Sequence, residues 1–217
     1  MPVFQLSNTD YRFPPAECAE DDGLIAVGGD LSPERLLNAY CSGIFPWYNQ
    51  NTPTMWWSPD PRTLLLPQEF HLPKRLQRTI KQQQFRVQEN TNFRSVITNC
   101  AQVPRKKQKG TWITAEMIEA YDRLHQFGLA HSIEVYCQEY LVGGLYGVQL
   151  GKAFFAESMF STQRDASKIA LAHLAETRFE QGFHFIDAQV YNNHLGQFGF
   201  QEYPRHFFLN ILRKAVS

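Results

Sequence analysis

Apolar residues recur with two different periods along this chain, and each period marks a run of elements. Around residue 36 the period is helical. Leu36, Leu37 and Tyr40 form an apolar side, Ser32 offers a capping oxygen, Pro33 suits a first turn and Gly43 ends the run. A second helix starts at Thr114, carries Ile118, Tyr121, Leu124 and Phe127 on one side, and stops at Gly128. The pattern then alternates. Residues 131–137, 141–150 and 153–160 predict three successive strands, the second interrupted by Gly143, Gly144 and Gly147. A helix is predicted over about 165–181 and a strand over 183–190, followed by a helical turn and a last strand near 206–212. This order predicts an α+β fold around a mixed sheet. The first sixty residues read differently, with Gly, Pro and aromatics clustered in FPP, VGGD, GIFPWY and WWSPDPR. The turn residues Ser58, Pro59, Asp60 and Pro61 mark a boundary, with a small N-terminal domain over 1–62 and a larger one over 63–217.

Charge changes the picture once it is resolved along the chain. The 217 residues carry 21 basic and 21 acidic side chains, a formal net charge of zero, and 43% of them are hydrophobic. That excludes intrinsic disorder, and at face value argues against a nucleic-acid partner. Yet residues 1–70 hold 3 basic and 9 acidic side chains, 71–110 hold 10 and 1, and 111–217 hold 8 and 11. Lys74, Arg75, Arg78 and Lys81 recur at helical spacing, and Arg105, Lys106, Lys107 and Lys109 follow in a loop ending at Gly110. A solvated face normally mixes signs. This one has Glu89 as its single acid, so a polyanion contact is expected. The N-terminus lacks a secretory pattern, no apolar run approaches the ~18 residues of a membrane span, and four scattered cysteines show no CxxC pair. A cytoplasmic protein with reduced thiols is expected, with neither a membrane nor DNA as partner. No GxGxxG, Walker loop, zinc spacing or GxSxG is present, so no cofactor, metal or acyl-enzyme is expected.

Candidate chemistry lies on the predicted strands. Strict alternation puts Phe183, Phe185, Asp187 and Gln189 on one face, and Phe155, Glu157 and Met159 on one face of the preceding strand. The plain alternative is that both acids pair with backbone donors or with Arg164 and Lys168. Two acids at equivalent strand ends, one beside a carboxamide, point instead to a site. Trp47, Trp56, Trp57 and Trp112 all lie in Pro- or Gly-flanked segments. Trp56 and Trp57 suit a contact between domains. Trp112 follows the basic loop and suits stacking on a nucleotide base, worth ~1–3 kcal/mol per base.

The stretches GLIAVGGDLSPERLLNAY, GIFPWY, WWSPDPR, GTWIT, AYDRLHQFGLAHSIEV, LVGGLYGV, ESMFS, DASK and IDAQVYNNHLGQFG resemble the bacterial leucyl/phenylalanyl-tRNA–protein transferases, from about Phe13 to Arg205. The resemblance implies an acetyltransferase-like (GNAT) catalytic domain behind a small N-terminal domain. It implies transfer of Leu or Phe from aminoacyl-tRNA to the α-amine of proteins that begin with Arg or Lys, which marks them for N-end rule degradation. By position, Asp187 and Gln189 resemble the catalytic pair and Glu157 a second active-site acid. Trp47 and Trp112 resemble the residues that hold the 3′-terminal adenosine, with Tyr40 and Tyr121 as aromatic positions nearby. Leu145, where a Met can occur, and Phe154 resemble part of the apolar pocket for the transferred side chain. Lys74, Arg75, Arg78 and Lys81 are the expected tRNA track. The expected reaction is direct attack of the amine on the ester, without a covalent enzyme intermediate. Asp187 would either act as a base whose pKa its aromatic surroundings raise, or orient the amine through Gln189 and take the proton late, and Glu157 would meet the acceptor's positive charge. A CoA-dependent acetyltransferase wants a glycine-rich turn for pyrophosphate, and residues 161–168 contain no glycine. A non-catalytic RNA-binding module explains the basic stripe and the tryptophans, but not Asp187, Gln189 and Glu157.

Overall fold

The computed structural model describes residues 3–102 and 111–217, and these form two sheets. The first is small. Strand β1 (Phe4–Leu6) runs parallel to β2 (Leu24–Gly28), helix α1 (Pro33–Cys41) follows, and β3 (Phe45–Pro46) and β4 (Met55–Trp57) complete the order β1-β2-β4-β3. Helix α1 forms where its pattern predicts. The Ser32 hydroxyl accepts from the Arg35 N–H at 3.4 Å, and Leu36, Ala39 and Tyr40 are buried. Leu37 falls on the exposed side.

The second sheet begins at β5 (Arg62–Leu65). It is followed by α2 (Lys74–Lys81), β6 (Arg86–Glu89), α3 (Phe93–Gln102), α4 (Ala115–Gln126), β7 (Ala130–Cys137), β8 (Tyr140–Leu150) and β9 (Ala153–Ser161). Helix α5 (Ala166–Glu180), β10 (Phe185–Gln189), α6 (Asn193–Gly196), β11 (Gln201–Tyr203) and α7 (Arg205–Val216) complete the chain. Strand order is β11-β5-β10-β9-β8-β7-β6. Strands β6 to β9 form an antiparallel meander, while β9 and β10 are parallel and joined across the sheet by α5. This is the expected α+β class with a mixed sheet.

Each face of the large sheet is apolar and needs a cover, since a buried Leu or Phe contributes about 1.5–3 kcal/mol. Helix α5 covers one face, packing Ile169, Leu171 and Leu174 with Ile133, Leu145 and Phe154. Helices α3, α4 and α7 cover the other, packing Val96, Met117, Tyr121 and Phe208 with Tyr146, Phe155 and Phe185. Ile25, Ala26 and Trp56 of the small sheet belong to that same second core.

The predicted strand near 206–212 is corrected by the structure. Residues Phe208, Leu209, Leu212 and Ala215 are the buried ones, a helical spacing, and they lie in α7 directly after Pro204. A short apolar run satisfies either period, and packing decides it. Among the described residues, no helix is long and apolar enough to cross a membrane.

Candidate active site

Strands β9 and β10 pair from Phe185↔Ala153 to Asp187↔Phe155 and then part, although β9 continues to Ser161. Two irregularities frame the opening. On β9, Tyr146 of β8 opposes Ser158 and Gly147 opposes Ala156, so Glu157 is the extra residue of a bulge. On β10, Asp187 opposes Leu64 and Gln189 opposes Thr63, so Ala188 is extra. Gln189 itself takes a φ of 61°, in the left-handed region. Gly147 is required where the first bulge closes, because a Cβ there would lie 2.2 Å from the Phe155 carbonyl oxygen. Bulges re-aim side chains, and these two break the strict alternation that the sequence predicts. Asp187 is held in the interior, while Gln189 reaches the opening.

The two acids have different surroundings. Asp187 is fully buried against an equally buried Arg62. Arg62 Nε donates to Asp187 Oδ1 and Oδ2 at 2.9 and 3.1 Å, and Nη2 donates to Oδ2 at 2.7 Å. The backbone N–H of Gln189 donates to Oδ1 at 2.8 Å. Arg62 Nη1 donates to the Gly43 carbonyl at 3.2 Å, and the guanidinium lies 4.9 and 4.5 Å from the ring centres of Phe45 and Phe208. Arg164 and Lys168 pair with Asp165 rather than with either acid. Glu157 meets neutral donors instead. Gln189 Nε2 donates to its Oε1 and the Tyr121 hydroxyl to its Oε2, both at 3.3 Å. The Tyr40 and Tyr121 hydroxyls are 2.5 Å apart. Burial pushes the Glu157 carboxyl up to about 7, aided by the negative charge of Asp187 and opposed by the tyrosine hydrogen bonds and Arg62. Burial, reinforced by the Glu157 charge, also raises both tyrosine hydroxyls well above their ordinary value.

Glu157 and Gln189 line two adjoining cavities. One, of about 310 Å³, is walled by Phe45, Trp47, Trp112, Val190 and Tyr191. The other, of about 870 Å³, is walled by Leu145, Met159, Leu171, Leu195 and Phe200. Glu157, Ala188, Gln189 and Asn192 line both and form the wall between them. The Trp57 indole N–H donates to the Trp47 carbonyl at 2.6 Å and holds that segment against the small sheet. The arrangement suits a flat ring in the aromatic cavity and an apolar side chain in the other. A linking group would then sit beside the carboxyl and carboxamide. Among the described residues, no cluster of His, Cys, Asp and Glu could hold a metal ion.

A family model described as leucyl/phenylalanyl-tRNA protein transferase matches residues 64–213, and one for the N-terminal domain of the same proteins matches residues 29–60. This chain belongs to that transferase family. A leucyl/phenylalanyl-tRNA–protein transferase from Lawsonia intracellularis is 54% identical over 212 residues, covering 98% of this chain and 93% of its own length. One from Myxococcus xanthus is 51% identical over 218 residues, covering 100% and 93%. Among solved structures, L-PGS from Bacillus licheniformis overlaps 89% of this chain and 73% of its own at a TM-score of 0.45 and 10% identity. A GCN5-related N-acetyltransferase from Kribbella flavida overlaps 80% and 61% at 0.39 and 7%. Overlaps this loose carry no argument about the reaction.

The structure of this transferase brings together most of the residues singled out by the resemblance. Trp47 and Trp112 share the aromatic cavity, Leu145 lines the apolar one, and Tyr40, Tyr121, Gln189 and Glu157 form one hydrogen-bonded chain. Four of them line neither cavity: Tyr40 and Tyr121, expected near the adenosine, are fully buried and reach the site only through their hydroxyl chain to Glu157, and Phe154 and Asp187 lie apart from it. Phe154 is fully buried in the core under α5 and lines neither cavity, because its neighbour Ala156 takes the cavity-facing position. Asp187 lines neither cavity, because Arg62 occupies its carboxylate. Lys74, Arg75, Arg78 and Lys81 are all exposed on α2, and among the described residues none has an acidic partner. Leu76 anchors α2 in the core on the α5 side, the side on which Leu171 lines the apolar cavity. The basic cluster at Arg105, Lys106, Lys107 and Lys109 lies outside the described residues. Arg62 is the site residue that patterning misses. Its one signal is a guanidinium just ahead of the apolar run Leu64 to Leu66, a charge that burial obliges to find a partner.

Proposed function

We propose that this transferase moves Leu or Phe from aminoacyl-tRNA to the α-amine of an acceptor protein in a single direct step. The observation that carries this reading is the wall shared by the two cavities. The terminal adenosine stacks between Trp47 and Trp112, and the aminoacyl side chain enters the apolar cavity past Leu145. The ester carbonyl then lies at Glu157 and Gln189. Holding ester and amine in that geometry supplies effective molarities of about 10⁵ M and upward. The amine nitrogen attacks the carbonyl carbon and the N–C bond forms. The nitrogen gives its surplus proton to Glu157 as the C–O bond to the ribose breaks, and the leaving oxygen takes that proton back. Gln189 steadies the carboxylate and lends its second amide N–H to the oxyanion.

The proton fit favours Glu157 as acceptor. A carboxyl held near 7 lies close to an α-amine at about 7.7–8.0, whereas an ordinary carboxylate at about 4.3 is a weak base for it. This reassigns the proton from Asp187, whose oxygens already receive Arg62 and the Gln189 backbone. The preference for acceptors that begin with Arg or Lys, and the N-end rule outcome, are proposed from the resemblance. The basic face of α2 is proposed as the tRNA track, beside a small N-terminal domain over 1–62 that supplies Tyr40 and Trp47.

Labelled Leu-tRNA incubated with a protein beginning with Arg is expected to yield labelled protein, with a rate that rises to a plateau through an apparent pKa of about 7. Label transfer that required acetyl-CoA, or tight RNA binding without transfer, would overturn the reading. Charge-neutral substitutions of Lys74, Arg75, Arg78 and Lys81 are expected to weaken tRNA binding and flatten its salt dependence. A minimal aminoacyl-adenosine donor should be unaffected; equal loss with that donor would remove α2 from the track.

A further inference from the structure

We propose that Arg62 is a positioning residue for the transfer reaction. Acting through Asp187, it holds the β10 bulge in the shape that presents Gln189 to Glu157. This rests on the reading of Glu157 and Gln189 as the groups that meet the substrate.

The links are contiguous. Asp187 Oδ1 receives both Arg62 Nε at 2.9 Å and the Gln189 backbone N–H at 2.8 Å. One carboxylate oxygen therefore ties the guanidinium to the residue that carries the carboxamide. Gln189 needs such a tie. Its φ of 61° is uncommon for a residue with a side chain, and a conformation like this persists when its surroundings enforce it. The Ala188 bulge also shifts the register between Asp187↔Leu64 and Gln189↔Thr63, so the β5 ladder alone does not set its direction.

Arg62 is well made for the task. Its planar fork engages both Asp187 oxygens, which fixes the carboxylate plane as a single ammonium does not. The fork is itself clamped. Phe45 and Phe208 flank it, and Nη1 reaches the Gly43 carbonyl. Four parts of the molecule thus converge on one side chain: the turn after α1, strand β3, helix α7 and strand β10. Stability alone does not require such a pair, because buried ion pairs are often replaceable by apolar residues at no cost to the fold. A charged device kept at the base of the reactive carboxamide fits orientation better than it fits folding.

That difference supplies the test. Arg62→Met combined with Asp187→Leu removes both charges together. We expect a folded protein whose thermal midpoint stays within about 5 °C of the parent. It should bind an amide-linked phenylalanyl-adenosine analogue within about threefold of the parent, because both cavities remain. Single-turnover transfer should fall about 100-fold, the loss that a misplacement of about 1 Å produces. Arg62→Lys keeps the charge and loses the fork, and should lose about tenfold in rate with analogue binding unchanged. A folded double variant that transfers within about threefold of the parent would overturn the proposal, since the pair would then be structural. If the double variant does not fold, Arg62→Lys decides: native transfer overturns the proposal, and a rate loss with intact binding supports it. The underlying reading is checked apart from this, by Glu157→Gln and Gln189→Ala in the parent chain. Native rates in those two would remove the site assignment whatever the Arg62 variants do.

Discussion

Asp187 and Glu157 are carboxylates on adjacent parallel strands, one beside a bulge and the other within one, and they are treated in opposite ways. Asp187 meets a guanidinium fork and a backbone N–H, and its charge is compensated where it stands. Glu157 meets two neutral donors, and burial lifts it to about 7. Compensation makes a carboxylate a fixed strut, whereas its absence leaves a proton that can move near neutral pH. The division of labour proposed for the acids thus follows from which strand faces Arg62.

The widest separation between them is expected in rate. Glu157→Gln should lower single-turnover transfer by about 10²–10⁴-fold while the aminoacyl-adenosine analogue still binds. A near-native rate would put the two acids on one footing and break the contrast. Stability should show the reverse preference. Asp187→Asn leaves the Arg62 cation buried without its counter-charge, and urea denaturation should report a loss of about 3–5 kcal/mol. A loss under about 1 kcal/mol would mean the strut carries little. Trp47→Ala or Trp112→Ala should act on the Glu157 side alone. Each should weaken donor binding by about 2 kcal/mol with the urea midpoint unchanged.

The smallest effect is a pH signature of Glu157. Its carboxyl sits at about 7 in the folded chain against 4.5 as the ordinary value, so between those limits the folded state holds the proton more tightly. The residue therefore costs stability as pH rises through that window, and the cost is fully present above about 7. Glu157→Gln should gain on the parent by about 1–2 kcal/mol between pH 5 and pH 8. A difference that stayed constant across that range would place Glu157 in an ordinary, wet environment.

Much of this was legible in the residues, and the losses have a common cause. Helices α1 and α4 announce themselves by capping oxygens at Ser32 and Thr114 and by a one-sided apolar stripe, all local features. The acids, the carboxamide and the tryptophans were legible as types in suggestive places. What alternation could not carry was the pair of bulges, because inserting one residue reverses every face after it. That is why Asp187 and Gln189, expected side by side in one site, point to different places. Helix α7 was hidden because its apolar run fits two periods. Arg62 was hidden because its partner lies 125 residues away, and only the closed sheet brings them together.

The bulge on β9 sets order against function. Glu157 is the residue that makes the strand irregular, since removing it would let Ala156 and Ser158 follow one another opposite Gly147 and Tyr146. On the proposed role of Glu157, a single-codon deletion there is expected to yield a tidier ladder and no transfer. On the proposed chemistry, regularity of the sheet and reactivity of the site are therefore opposed, because the proton acceptor and the flaw in the strand are the same residue.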